Sequence, residues 1–229
     1  MRLLAFDSST DWLSVAVCDG DTWRERGERA ATAASERALP LVRELLDEAG
    51  FGVRALDGIA FGAGPGSFTG VRIACGVAQG LALGAGLPVL GIATLLALAH
   101  DAWRARGVDS VLACLDARMR EVYVAAYRHT GAGWVTLVEP SVQKPADVAR
   151  PEGPWHGCGD GFATYPDLAV QLKLASVDTA AVPSARAIGE LAAPRFAAGE
   201  GVDAAHAEPL YVRHRVALTT RERDAGMRL

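Results

Sequence analysis

From Ile73 to Ala99 the chain carries no charged residue, and a run of that length is either a membrane span or a set of elements buried inside a folded domain. Gln79, five glycines and Pro88 interrupt it. Those interruptions divide the run into a helix, a turn, a buried strand and the start of another helix, so no membrane association is expected. The apolar run Ile59-Ala60-Phe61 leads in through the turn Gly64-Pro65-Gly66-Ser67. Ser67 or Thr69 is placed to cap the helix by accepting from its first free N–H groups. The helix should close near Gly84 to Gly86, before Pro88 opens the next strand. Within it Gly76, Gly80 and Gly84 recur every four residues and line one face. Each costs up to ~1 kcal/mol against alanine. Three in register therefore mark a face that another backbone approaches, either a partner helix or the protein's own sheet.

Half of the 229 residues are hydrophobic, enough for one large core or two small ones. The formal net charge of −4 gives no global attraction to nucleic acid, so any RNA contact has to be local or supplied by a partner. Cys18, Cys75, Cys114 and Cys158 are widely spaced, with no C-x-x-C pair, and read as reduced core thiols. An aspartate at position 7 falls where a signal peptide needs its apolar region, and a cytoplasmic protein is expected.

Taken in order, residues 3–7 (LLAFD) and 13–18 read as a hairpin with Asp7 at its tip, and Asp19-Gly20-Asp21 turns into a third strand over 22–28. Residues 35–49 carry Leu39, Val42, Leu45, Leu46 and Ala49 at helical spacing and end on Gly50, with Pro40 expected in the first turns. A strand over 57–62, the helix over 68–85, a strand at 89–90 and a helix over 94–104 complete the order βββαβαβα. That order is the ribonuclease H-like arrangement, a mixed sheet with flanking helices. A second half starts at Val108, with strands at 110–116, 121–127 and near 134–138, a helix over 184–198 and a polar tail from 214. A shift of 109 residues lays Leu3 on Leu112, Asp7 on Asp116 and Val15 on Val124, which suggests duplicated domains. The expected division is 1–106, a shorter 107–213, and the tail 214–229.

LLAFDSST, GPGSFTGVRIACGVAQGLA, DARMREVYVAAY and PLYVR together resemble the TsaB (YeaZ) family of tRNA threonylcarbamoyladenosine biosynthesis proteins, over residues 3 to about 213. The resemblance implies two actin-like (ASKHA) α/β domains and a non-catalytic subunit. Its catalytic partner is a TsaD-type paralogue that modifies adenosine 37 of ANN-decoding tRNAs. A TsaE-type ATPase is a further partner, self-pairing is expected when the chain is alone, and tRNA is met only through the complex. The paralogue's two metal-binding histidines fall at Thr94 and Leu98, which cannot replace them. His100, His129, His156, His206 and His214 show no H-x-x-x-H spacing, and no metal or cofactor is expected. Ala34 and Ala38 depart from the family's usual histidine and leucine.

The pairing surface is expected on helices 35–49 and 68–85, at Leu39, Val42, Leu46, Arg72, Gly76, Gln79, Gly80, Leu83 and Gly84. Asp7, Ser8, Ser9, Thr10, Gly64, Gly66 and Ser67 form a vestigial phosphate site: Asp7 is where an actin-like ATPase holds magnesium, and the turns offer N–H and hydroxyl groups. The alternative is a Mg-ATP-dependent transferase or ATPase acting through Asp7, Ser9 and Thr10. The glycine turn has no P-loop lysine, and neither a protease triad nor a zinc motif is present. Gly157 to Gly161 reads as a turn or as a close approach to an adenosine.

Overall fold

In a computed structural model, which describes residues 1–213, the first three strands form the expected meander; the tail 214–229 lies outside the described residues. β1 (Arg2–Asp7) pairs antiparallel with β2 (Trp12–Asp19), Phe6 opposite Val15, and β3 (Thr22–Arg29) pairs with β2. β4 (Gly58–Gly64) and β5 (Val89–Ala93) extend the sheet in parallel, giving the order β3-β2-β1-β4-β5. The second sheet repeats that plan with β6 (Ser110–Asp116), β7 (Val122–Thr130), β8 (Gly133–Gln143), β9 (His156–Cys158) and β10 (Ser176–Asp178). Its order, β8-β7-β6-β9-β10, is the same when read from the meander. The protein is thus an α/β fold of two mixed ribonuclease H-like sheets. β8 runs through Gln143, well past the expected Val138, and takes in Pro140.

Helices α1 (Ala34–Ala49) and α2 (Phe68–Ala85) cover the outer face of the first sheet. Leu4, Phe6, Val15, Ile59 and Phe61 meet Leu41, Val42, Leu45, Ala74 and Ala78 there. Its inner face is lined by small residues, Ala5, Ala16 and Ala60, against Ala185, Ile188 and Ala192 of α6 (Ala185–Ala197). Alanines on that face let α6 come close: a Cβ at Gly189 would lie 3.2 Å from that of Ala5. α3 (Thr94–Arg106) puts Ala97 into the same layer and Leu95, Leu98, Ala99 and Ala102 against Val111, Ala113 and Leu115 of the second sheet. Short α4 (Gly161–Thr164) and α5 (Asp167–Gln171) cover the far side, where Leu112, Cys114 and Val124 meet Trp155, Phe162 and Leu168. The result is five alternating layers, with α3 and α6 between the sheets.

The helices do not follow the expected division at 106. The sheets separate there, but α3 packs on the second sheet and α6, from the second half, returns to the first. Polar contacts fix the pair: Ser184 donates from N–H and Oγ to Asp101 at 2.9 and 2.8 Å. Trp134 donates to His100 Nδ1 at 3.1 Å, and His100 Nε2 lies 3.0 Å from Glu190. Burial by itself would raise the Glu190 carboxyl, but hydrogen bonds from His100 and Arg186 and the charge of Arg104 hold it down to about 2.

Two local expectations need correction. Leu39 is half exposed and Leu41 takes the core position beside Val42, Leu45 and Leu46, because Ala38, Leu41, Val42 and Leu45 form the i, i+3, i+4, i+7 stripe that faces the sheet and Leu39 lies off it. Pro40 stands seventh in α1, beyond the four N–H groups that lack partners, so it removes a bond to the Glu36 carbonyl. The charge-free run does resolve into α2, turn, β5 and α3. α2 is long and apolar enough to cross a membrane by length and composition, yet its alanine face lies on the sheet. All four cysteines are buried as free thiols.

Candidate functional site

Asp7 ends β1 with no exposed surface. Its Oδ1 accepts from the Ser9 N–H at 3.0 Å and the Ser9 hydroxyl at 2.8 Å, while Oδ2 is buried without a partner among the described residues. Loss of solvent dominates its ionisation: burial pushes the carboxyl up to about 7, although the two Ser9 bonds oppose the shift. The other groups of the turn are also turned inward. Ser8 Oγ donates to the Gly70 carbonyl at 2.8 Å, and the Ser67 N–H donates to the Ser9 carbonyl at 2.6 Å. The Thr10 hydroxyl accepts from the Trp12 N–H at 3.2 Å.

Glycine is required where this turn meets β4 and α2. A Cβ at Gly62 would lie 1.7 Å from Asp7 Oδ2, one at Gly66 2.3 Å from the Ser9 carbonyl oxygen, and one at Gly70 1.8 Å from that of Ser8. Ser67 caps α2 as expected, accepting from the Gly70 N–H at 3.4 Å, and the Gly64 N–H donates to Thr94 Oγ1 at 3.2 Å. The structure therefore gathers Asp7, Ser8, Ser9, Gly66 and Ser67 in one turn region and directs the first three inward, while Thr10 is half-buried against Trp12 and Ser67 stays exposed. Asp7, Ser8 and Ser9 are all buried. Thr94 braces the glycine turn, and Leu98 belongs to the core between the sheets.

The second hairpin differs. Asp116 accepts from the Arg118 N–H at 2.9 Å, pairs with its guanidinium at 3.1 Å, and its own N–H donates to Asp160 at 2.9 Å. The pair Asp7–Ser14 closes a turn of residues 8–13; Asp116–Val122 closes residues 117–121, one residue shorter. That step corrects the 109-residue repeat. Val15 and Val124 both face outward, but Leu4 and Phe6 face outward where Ala113 and Leu115 face inward, as a one-residue slip requires. Asp7 and Asp116 consequently lie on opposite faces of their sheets. Gly159 and Gly161 are used in packing: a Cβ at Gly159 would lie 2.2 Å from the Cys114 carbonyl oxygen.

The outer surface of α1 and α2 is the other candidate. Gly76, Gly80 and Gly84 are exposed, with nothing among the described residues within 4 Å of a Cβ at any of them; Ala74, Ala78 and Ala82 face the sheet. The stripe is therefore not the helix's contact with its own domain. Leu83 is 76% and Leu39 51% exposed, and Arg72 is exposed. Val42 and Leu46, expected on this surface, are core residues at 3% and 5%; they form the floor of a shallow groove of about 590 Å³ whose rim includes Leu39, Arg43, Phe51 and Leu81. Gln79 is half-buried and donates to the Ala207 carbonyl at 3.1 Å.

Sequence reasoning missed the segment that returns over α2 after α6. Val202 bridges Val89, Ala207 accepts from Gln79 and Cys75, Leu210 donates to the Ala63 carbonyl at 2.7 Å, and Arg213 pairs with Glu121 at 2.7 Å. Only the brief apolar run from Leu210 to Arg213, which reads as a strand or turn, and the PLYVR similarity pointed to its end.

Residues 27–209 match the family model described as TsaD, tRNA N6-adenosine threonylcarbamoyltransferase. The tRNA threonylcarbamoyladenosine biosynthesis protein TsaB of Escherichia coli is 40% identical, over 95% of this chain and 96% of that protein. The Haemophilus influenzae protein of the same name is 35% identical over 94% and 95%. The solved structure of YeaZ from Pseudomonas aeruginosa superimposes with a TM-score of 0.86 at 40% identity, covering 92% of this chain and 99% of that one.

Proposed function

The chain belongs to the TsaB family, and from that premise we propose that it is a non-catalytic subunit in tRNA threonylcarbamoyladenosine biosynthesis, paired with the TsaD-type paralogue that modifies adenosine 37 of ANN-decoding tRNAs. The pairing surface is the exposed side of α1 and α2, centred on Gly76, Gly80 and Gly84 and edged by Leu39, Arg72 and Leu83. The same surface serves self-pairing when the chain is alone. A TsaE-type ATPase joins the assembled pair.

The observation that carries this reading is the open glycine stripe. Three interior helix glycines with nothing among the described residues within 4 Å of an added Cβ sacrifice helix stability, and a close helix pair is what such a face accommodates. The inward-turned Asp7 loop supports the non-catalytic half of the reading. Gly80→Leu is the test: the side chain enters open space, so the fold is kept, but it fills the space a partner helix needs. Size-exclusion chromatography with the paralogue should show the complex lost. An unchanged complex would sink the proposal.

The rival reading is a Mg-ATP-dependent transferase or ATPase using Asp7, Ser9 and Thr10. Calorimetry of Mg·ATP on the isolated chain separates the two, and micromolar binding abolished by Asp7→Asn would replace the scaffold with the enzyme.

A further inference from the structure

An imidazole held between an indole N–H and a carboxylate has the place of its proton decided for it, because the indole can only donate. His100 of α3 is held in that way. Trp134 Nε1 lies 3.1 Å from its Nδ1, and Glu190 Oε2 lies 3.0 Å from its Nε2. Nδ1 therefore accepts, and the ring proton sits on Nε2, towards Glu190. Three elements meet at this one ring: α3 supplies it, β8 supplies Trp134 and α6 supplies Glu190. Only 12% of the His100 side chain is exposed, so water offers it little in place of either partner.

A second proton on His100, taken from solvent, has one place to go. It would sit on Nδ1 and point at the indole N–H, and two donors cannot share a contact of 3.1 Å. Trp134 must then release the ring. The opposite side gains from the same proton: Glu190 already accepts from Arg186 Nε at 2.7 Å, with Arg104 3.8 Å away, and an imidazolium turns its hydrogen bond from Nε2 into an ion pair. The other titratable groups around the ring leave that choice in place. Asp101 is taken up by Arg104 and Ser184. His129 stacks on Trp103, with centroids 4.1 Å apart, and meets the edge of Trp134 at 5.1 Å, while Tyr127 meets Trp134 edge-on at 6.4 Å. Trp134 stands next to Gly133 at the end of the β7–β8 hairpin, opposite His129, and its bond to His100 ties that hairpin to α3.

We propose that His100 is a proton-operated latch: as the neutral imidazole it ties the end of the β7–β8 hairpin to α3, and as the imidazolium it releases Trp134 while holding α3 more tightly to α6. Because α3 packs on both sheets, the latch sets how firmly the second sheet is held to the first. It lies on the side of the first sheet opposite α1 and α2, and it does not depend on the pairing reading.

The test is nuclear magnetic resonance on the full chain, following the tryptophan indole N–H and histidine ring C–H signals from about pH 8 to about pH 5, where histidine ordinarily changes charge. Trp134→Phe identifies the one indole signal, and His100→Gln identifies the ring. As the His100 ring titrates, the Trp134 indole signal should move with the same midpoint, and the signals of Trp12 and Trp155 should stay in place. Protection of the Trp134 indole proton from exchange, relative to free tryptophan at the same pH, should fall at least about tenfold. His100→Gln offers a carbonyl oxygen to the indole and an amide to Glu190 without titrating, so it should hold the Trp134 signal still across the range. A Trp134 signal that stays in place while His100 titrates, a His100 ring that does not titrate in this range, movement that persists in His100→Gln or is abolished by His129→Gln, or loss of signal dispersion throughout the chain at the acid end would each overturn the proposal. The first two are read on the unaltered chain and decide it without any variant having to fold.

Discussion

The two hairpins that open the two sheets share a topology, an aspartate at the end of the first strand and a glycine-rich segment laid over them from the neighbouring parallel strand, yet they end as different objects. Asp7 lies under Gly62 and the neighbouring Ser8 and Ser9 under Gly70 and Gly66, with one Asp7 oxygen held by Ser9 and the other without a partner among the described residues. Asp116 sits on the opposite face of its sheet, paired with an exposed arginine in a left-handed turn. A turn shorter by one residue accounts for the change of face, and the neighbours on each face account for the rest. The lesson is that an aspartate at a familiar place in a repeat has no fixed chemistry. The face it lands on, and what covers that face, decide whether it can meet a ligand.

The largest effect that separates the hairpins should come from ionising Asp7. Its carboxyl titrates at about 7 in the folded protein against 3.8 ordinarily, so stability is whole below pH ~4, declines as pH rises towards 7 and stays reduced above it. The interval corresponds to on the order of 4 kcal/mol as an upper bound. Asp7→Asn should therefore raise the urea midpoint at pH 8 and leave it nearly unchanged at pH 4; an equal effect at both would remove the buried neutral carboxyl from the account. Gly70→Ala is next. A methyl 1.8 Å from the Ser8 carbonyl oxygen forces the turn off the helix and should cost about 3 kcal/mol, measured by denaturant unfolding. Wild-type stability there would mean the turn is not packed as described. The smallest effect belongs to the other hairpin: Asp116→Asn weakens an ion pair whose arginine is largely exposed and keeps the bond from the Arg118 N–H, so its midpoint should move by less than about 1 kcal/mol. A loss as large as that of Gly70→Ala would erase the distinction between the hairpins.

Much of this was legible in the sequence because it is local. The Ser67 cap, the Gly86 end of α2, the first meander and the parse of the charge-free run each depend on residues a few positions apart. What was not legible depends on distance. Nothing within residues 184–198 says that their helix packs on Ala5, Ala16 and Ala60 of the first sheet, nor does the brief PLYVR run say that Arg213 will brace a turn near position 119. The 109-residue shift matched Val15 with Val124 correctly and Leu3 with Leu112 wrongly, because identity of residue type cannot report a one-residue change in an intervening turn. On the surface of α1 the apolar letters Leu39 and Leu41 are interchangeable to a pattern, and only the packed sheet distinguishes them. At the candidate site the letters of the Asp7 turn do not tell the direction of their side chains: Ser8 and Ser9 point into the protein.

The central claim is that the Asp7 turn serves as packing and the protein acts through its surface. Reconstituted threonylcarbamoylation of tRNA, with the chain carrying Asp7→Asn in place of the native one, tests that most directly. The account predicts an intact complex and a rate within about twofold of the unaltered protein. An intact complex whose rate falls a hundredfold or more would place Asp7 in the chemistry and contradict the account.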